Sequence, residues 1–264
     1  MKTYRLWQGD APGALGSNPE DIPTLTDYSE EVNGDIKPAV VVCPGGGYGG
    51  LAPHEGKPIA EYLEAHGVRG FVLQYRLSPK YHHPVMLHDV NRAIRYVRSH
   101  AADFRVDPKR VGVLGFSAGG HLTSTAVTYF DSGNASSTDP IDHASCRPDV
   151  GILIYPVISM TSIGHAGSRT NLLGPNPSQQ QIDALSSEKN VSLQTPPCFL
   201  FHGANDSVVP VQNSLLFANA LAEHKIPFSL HIPEQGEHGF GLGTPGTPTD
   251  WRELCAVWLK SHGF

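Results

Sequence analysis

The sequence predicts an α/β domain with a mostly parallel sheet and helices on both faces. Three observations carry this. Short β-branched or apolar runs recur along the chain, segments of helical period separate them, and Gly or Pro breakers stand at their boundaries. The runs are 39–43, 70–75, 111–115, 150–155, 198–202 and 228–232. They are apolar without alternation, as strands buried on both faces are. Helical patterns lie between them at 54–66, 84–101, 117–129, 211–224 and 250–261. In 84–101, Met86, Val90, Ala93, Ile94 and Val97 share one face, while Arg92, Arg95 and Arg98 lie off it. Gly67 follows the first helix, and Asp107-Pro108 breaks the chain before the run at Val111.

Two stretches leave the alternation. Residues 131–147 are polar and turn-rich, a surface loop. Residues 159–197 carry Gly164, Gly167, Gly174, Pro175 and Pro177, with one short helix near 179–185. That is longer than a connection needs, so it is expected to shape a binding site within one domain spanning 1–264.

Composition narrows the function. With 19 Lys and Arg against 25 Asp and Glu, the net charge is −6 over 264 residues, and no basic cluster offers a phosphate backbone its electrostatic footprint. Nucleic acid is not expected as a partner. The apolar runs are far shorter than the ~20 residues that span a bilayer, so no membrane partner is expected. The start lacks an apolar signal region. A cytoplasmic location is therefore expected of the sequence as it stands, and a periplasmic or secreted one if a leader has been removed. Cys43, Cys146, Cys198 and Cys255 form no C-x-x-C pair, which argues against a zinc knuckle or a disulfide scaffold. The oligomeric state stays open.

Gly115-Phe116-Ser117-Ala118-Gly119 fits G-x-S-x-G between an apolar strand and a helix. Its glycines allow a tight turn that lifts the Ser117 hydroxyl above the sheet edge. A serine hydroxyl needs a base and an orienting carboxylate, here in the chain order Ser, Asp, His. Asp206 follows the strand at 198–202, and His238 follows the strand at 228–232. All three belong to the same edge of a parallel sheet.

With these residues in place the chain resembles the α/β-hydrolase superfamily with little or no cap, and within it small esterases similar to acetylxylan esterases and bacterial feruloyl esterases. The resemblance runs nearly end to end. It rests on Cys43-Pro44-Gly45-Gly46-Gly47-Tyr48, on Gly115 to Leu122, on His202-Gly203-Ala204-Asn205-Asp206 with Ser207 to Pro210, and on Glu237-His238-Gly239-Phe240-Gly241-Leu242. The lead-in from Leu6-Trp7 to Pro23-Thr24-Leu25 is also similar. It implies that 45–47 correspond to the His-Gly-Gly-Gly oxyanion loop of relatives, with Cys43-Pro44 where many carry His. The backbone amides of Ala118 and of Gly46 or Gly47 are expected to form the oxyanion hole; one such donor is worth roughly 3–4 kcal/mol of barrier.

Tyr48, Tyr75 and Arg76, near strand ends, are candidates to line the acyl or sugar pocket. His82, His83 and His88 read as surface or capping residues rather than metal ligands, because no His-Glu-x-x-His pattern exists. His121 reads as a packing or hydrogen-bonding residue. Asn134-Ala135-Ser136 and Asn190-Val191-Ser192 fit the glycosylation pattern by chance. The expected reaction is serine carboxylesterase chemistry with catalytic Ser117, His238 and Asp206 and neither metal nor cofactor. The resemblance implies a short acyl group, acetyl above all, on a carbohydrate such as xylan. A feruloyl or general short-chain carboxylesterase is the nearest alternative, then a prolyl-peptidase-like amidase, then a non-catalytic binding module.

Overall fold

In the computed structural model, which describes residues 1–29 and 35–264, strand and helix alternate as the apolar runs require. Two short strands come first, β1 (Lys2–Arg5) and β2 (Thr24–Asp27), then β3 (Lys37–Cys43). Helix α1 (Lys57–Ala65), β4 (Arg69–Gln74), α2 (Val85–Ser99) and the single turn α3 (Ala101–Phe104) follow. Strand β5 (Val106–Phe116) runs directly into α4 (Ser117–Ala126), and β6 (Gly151–Ile154) comes next. Helices α5 (Ala166–Leu173) and α6 (Gln179–Ala184) precede β7 (Cys198–Phe201). The chain continues through α7 (Gln212–Glu223), β8 (Phe228–His231) and α8 (Arg252–Ser261).

The eight strands form one sheet in the order β1-β2-β4-β3-β5-β6-β7-β8. Pairs from β4 to β8 are parallel, and β1 and β2 join antiparallel at one edge. This is the α/β-hydrolase fold. Successive side chains of β3 divide between two cores. Ala39, Val41 and Cys43 pack with Met86, Ile94 and Leu122 of α2 and α4. Val40 and Val42 pack with Ile59 and Leu63 of α1 and with Trp251 and Trp258 around α8. Both faces are dry, which is why the run reads as continuously apolar. Among the described residues no helix is long and apolar enough to cross a membrane.

The two antiparallel strands β1 and β2 have no counterpart among the apolar runs. Each has four residues, and β2 alternates half-buried Thr24 and Thr26 with buried Leu25 and Asp27. A buried aspartate is a poor strand signal, yet Asp27 accepts from Arg69 of β4 at 2.5 Å and so ties the edge to the sheet. The break expected at Asp107-Pro108 is a bulge inside β5. Lys37 pairs with Val106 but Ala39 with Val111, and Asp107 closes the excursion by accepting from the Lys109 amide at 2.9 Å. In 159–197 the structure adds α5, whose sequence Ala-Gly-Ser-Arg-Thr-Asn-Leu-Leu carries no helical apolar stripe.

Close contact between β4 and α1 depends on Gly70. A Cβ there would stand 2.6 Å from the Cα of Ala60, a backbone atom that cannot turn aside. Gly70→Ala is expected to cost about 1–3 kcal/mol and to lower the thermal midpoint by roughly 5 °C. Gly9→Ala, whose Cβ would meet nothing within 4 Å, should leave it unchanged. Equal midpoints for the two variants in a thermal melt would contradict this account of the contact.

Candidate active site

Ser117 is the first residue of α4, at the junction with β5, and its φ of +53° lies in the left-handed region. Such a backbone costs a non-glycine residue roughly 1–3 kcal/mol, so the surroundings must impose it. They do so by backbone packing. A Cβ on Gly115 would stand 2.1 Å from the Gly119 carbonyl oxygen, and one on Gly119 would stand 2.1 Å from that of Cys43. The first turn of α4 therefore rests directly on β3 and β5, and Ser117 is raised at their C-terminal edge while remaining 8% exposed.

Two loops from neighbouring strands meet it. The Ser117 hydroxyl lies 2.8 Å from His238 Nε2, and His238 Nδ1 lies 2.7 Å from Asp206 Oδ2. The carboxylate takes the Nδ1 hydrogen, so Nε2 is left as acceptor toward the hydroxyl. The other oxygen of Asp206 accepts from the amides of Val208 at 2.9 Å and Val209 at 2.8 Å. His202 Nε2, 3.3 Å from Oδ2, also donates to the Val209 carbonyl at 2.9 Å, while its Nδ1 accepts from Ser214 at 2.8 Å. Burial alone would raise the Asp206 pKa, but hydrogen bonds from His202, His238 and the Val209 amide outweigh it and hold the carboxyl well below the usual carboxylate range. The three residues singled out in the sequence thus form one continuous hydrogen-bonded relay.

Across from the relay, Gly46 (φ +131°), Gly47 (φ +64°) and Tyr48 (φ +62°) make a tight loop after β3. The amides of Gly49 and Gly50 turn back onto the Gly46 carbonyl at 3.1 and 3.0 Å. Among the described residues, the amides of Gly46 and Gly47 donate to no acceptor of the chain. The Ala118 amide stands in the first turn of α4, where no i−4 carbonyl is available to it. Among the described residues these three donors thus have no acceptor in the chain, and Gly45, which leads into the loop, packs against Ser117: a Cβ on it would stand 3.0 Å from the serine Cβ.

What fixes this loop was not read from the sequence. Glu55, 3% exposed, accepts from the Gly45 amide and from the Tyr155 hydroxyl, each at 2.7 Å. Tyr155 in turn accepts from the Gly241 amide at 2.8 Å, and its ring meets that of His238 edge-on at 4.9 Å. His54 donates to the Gly239 carbonyl at 3.0 Å. One buried carboxylate therefore couples the loop after β3 to the loop that carries His238.

Tyr48, Tyr75 and Arg76 do not present their side chains to a substrate. Each is 1% exposed. The Tyr48 hydroxyl bonds to His121 Nδ1 at 2.7 Å, that of Tyr75 donates to the Pro44 carbonyl at 2.6 Å, and Arg76 pairs with Asp89 at 2.6 Å. Tyr75 and Arg76 border a groove of about 460 Å³ beside Gly49 and Leu51, but their polar ends turn inward and are spent there. They support the loop instead of lining a pocket. His121 donates from Nε2 to the Leu185 carbonyl at 2.8 Å, so it hydrogen-bonds inside the core. Among the described residues no group of three His, Cys, Asp or Glu could hold a metal ion, and all four cysteines are free and buried.

The relay, the strained serine and the free amides can now be set beside known proteins. The sequence profile of BD-FAE matches residues 27–221. The chain belongs to the BD-FAE family. Its residues are 39% identical, over 236 positions, to the endo-1,4-beta-xylanase B of Butyrivibrio fibrisolvens, covering 87% of this chain and 36% of that protein. They are 36% identical over 212 positions to an acetylxylan esterase of Xylanibacter ruminicola, covering 78% of this chain and 42% of that one. The chain thus spans about two fifths of the length of the curated relatives it matches. A crystal structure of an acetyl ester-xyloside bifunctional hydrolase from Caldicellulosiruptor lactoaceticus superposes with a TM-score of 0.94 at 45% identity, covering 100% of this chain and 97% of that one. Over that length this BD-FAE chain and the solved enzyme share one architecture.

Two outcomes follow from the geometry. Glu55→Ala leaves the Gly45 amide and the Tyr155 hydroxyl unpaired in the interior, at about 1–3 kcal/mol for each group. A chemical denaturation curve should show that loss, together with a fall in turnover; an unchanged midpoint would refute the anchoring role. Burial pushes the His121 pKa down to about 4, and burial with the charge of His88 does the same for His83. A free imidazole in the unfolded chain titrates near 6.5. The stability these rings contribute is therefore complete above about pH 6.5 and is lost as the pH falls toward 4, by up to about 1.4 kcal/mol per pH unit for each ring. Urea unfolding at pH 7, 6 and 5 should show that slope, and His83→Asn should flatten it.

Proposed function

We propose that this chain is a serine carboxylesterase that removes short acyl groups, above all acetyl, from carbohydrate esters such as acetylated xylan or xylo-oligosaccharides. The observation that carries the chemistry is the relay in which the Ser117 hydroxyl, both ring nitrogens of His238 and the Asp206 carboxylate lie within 2.8 Å of their successive partners. Ser117 Oγ attacks the ester carbonyl as its proton passes to His238 Nε2. Negative charge gathers on the carbonyl oxygen, where the amides of Gly46, Gly47 and Ala118 receive it. The ester C–O bond then breaks, and His238 returns the proton to the departing alcohol. Water follows the same path, giving up its proton to His238 as it attacks the acyl-serine; the bond from the acyl carbon to Ser117 Oγ then breaks, His238 returns the proton to Oγ, and the carboxylic acid leaves. Asp206 stays ionised throughout and stabilises the imidazolium, and its depressed pKa suits that role.

The carbohydrate part of the reading is supported by relatives named for acetylated xylan and for an acetyl ester-xyloside. Ser117→Ala should lower kcat on p-nitrophenyl acetate by at least about 10⁴-fold with the fold retained. Activity on p-nitrophenyl esters should fall steeply beyond propionyl, and acetate should be released from acetylated xylan. Retained activity in Ser117→Ala would overturn the mechanism, and a preference for octanoate would overturn the substrate class.

A further inference from the structure

His165, in the insertion after β6, has no place in the relay but borders the glycine loop after β3. Its Nδ1 accepts from the Ser168 amide at 3.2 Å and lies 2.9 Å from the Ser168 hydroxyl, so the ring caps the start of α5. A ring nitrogen that accepts an amide hydrogen carries none itself, and the hydrogen of the neutral imidazole is on Nε2. Among the described residues no hydrogen-bond partner meets that Nε2–H. Burial, reinforced by His238 and partly offset by Asp206, lowers the His165 pKa and keeps the ring neutral at neutral pH.

The position of the ring is fixed from both ends of α5. Asn171, near its far end, donates to the Gly47 carbonyl at 2.8 Å and seats the helix on the oxyanion loop. His165 Cε1, the carbon bonded to both nitrogens, lies 4.0 Å from the point where a Cβ on Gly47 would stand. The half-buried ring thus borders the loop proposed to receive the oxyanion. An acetyl group carries no hydroxyl, so any substrate hydroxyl within reach of this ring belongs to the alcohol moiety. A neutral N–H with no partner in the chain is suited to a hydroxyl there.

We propose that His165 is a specificity-determining residue whose Nε2–H donates to a hydroxyl of the alcohol moiety, and so favours sugar esters over simple aryl esters. This rests on the ester-hydrolase reading above. The test compares two acetates, p-nitrophenyl acetate and a mono-O-acetylated xylobiose, which share the acyl group and differ in the alcohol. His165→Asn keeps a capping side chain for α5 but is too short to present the distal N–H; His165→Phe keeps the ring and removes the N–H. Both variants should lose about tenfold in kcat/KM on the sugar ester and stay within about twofold on the aryl ester, with the thermal midpoint of His165→Asn unchanged. An equal fall on both esters, or no change on the sugar ester, overturns the assignment. Inactivity of the unsubstituted protein on both acetates overturns the ester-hydrolase reading, and the assignment with it.

Discussion

Glu55 is the constraint on which the site depends. A carboxylate that is 3% exposed is tolerable only if its oxygens are occupied, and here one takes the Gly45 amide and the other the Tyr155 hydroxyl. Those two partners belong to the ends of β3 and β6. Through the Gly241 amide, Tyr155 extends the connection to the loop after β8. Three segments distant in sequence are thereby held to one buried acceptor. Without it the amides of Gly46 and Gly47 would lose the tie that links them to the loop carrying the imidazole.

A second chain of contacts secures the same loop from its other side. Tyr48, which closes the Gly46-Gly47 turn, bonds to His121, and His121 passes the connection to the Leu185 carbonyl in the insertion. Asn171 of α5 reaches the Gly47 carbonyl directly. The glycine loop is therefore held between the Glu55 carboxylate and the insertion. The insertion does more than border the cleft, because it fixes the glycines whose left-handed backbone has no side chain to hold it.

The fold was largely legible because its inner strands are dry on both faces. Six apolar runs each mark a strand from β3 to β8, and the Ser, Asp, His order placed the relay at one sheet edge. What escaped has identifiable causes. β1 is an edge strand and β2 its antiparallel neighbour; both place polar residues half in solvent, and β2 sends Asp27 inside to Arg69 of β4, so neither apolar content nor alternation marks them. α5 is held by its cap and by Asn171 rather than by an apolar face. Tyr48, Tyr75 and Arg76 were correctly near strand ends, but position along a strand does not give direction, and each points into the core. Glu55 and His202 resemble ordinary loop polar residues until the backbone around them is closed. Their signal is burial, which a single sequence does not carry.

The two halves of the site are secured by different physics. The proposed nucleophile is set by backbone contact: Gly115 and Gly119 leave no space between α4 and the strands, and the chain turns there through the left-handed Ser117. That geometry is inseparable from the fold, since any side chain in the contact moves a helix off a sheet. The proposed base and oxyanion donors are set by hydrogen bonds from side chains: Asp206 with its amides and His202 on one side, Glu55 with Tyr155 on the other. Such bonds can be lost one at a time while the sheet persists. Changes at the elbow glycines should therefore act on folding, and changes in the carboxylate networks on turnover as well as on stability. The serine is as rigid as the sheet, while the groups proposed to activate it and to hold the oxyanion depend on two buried charges.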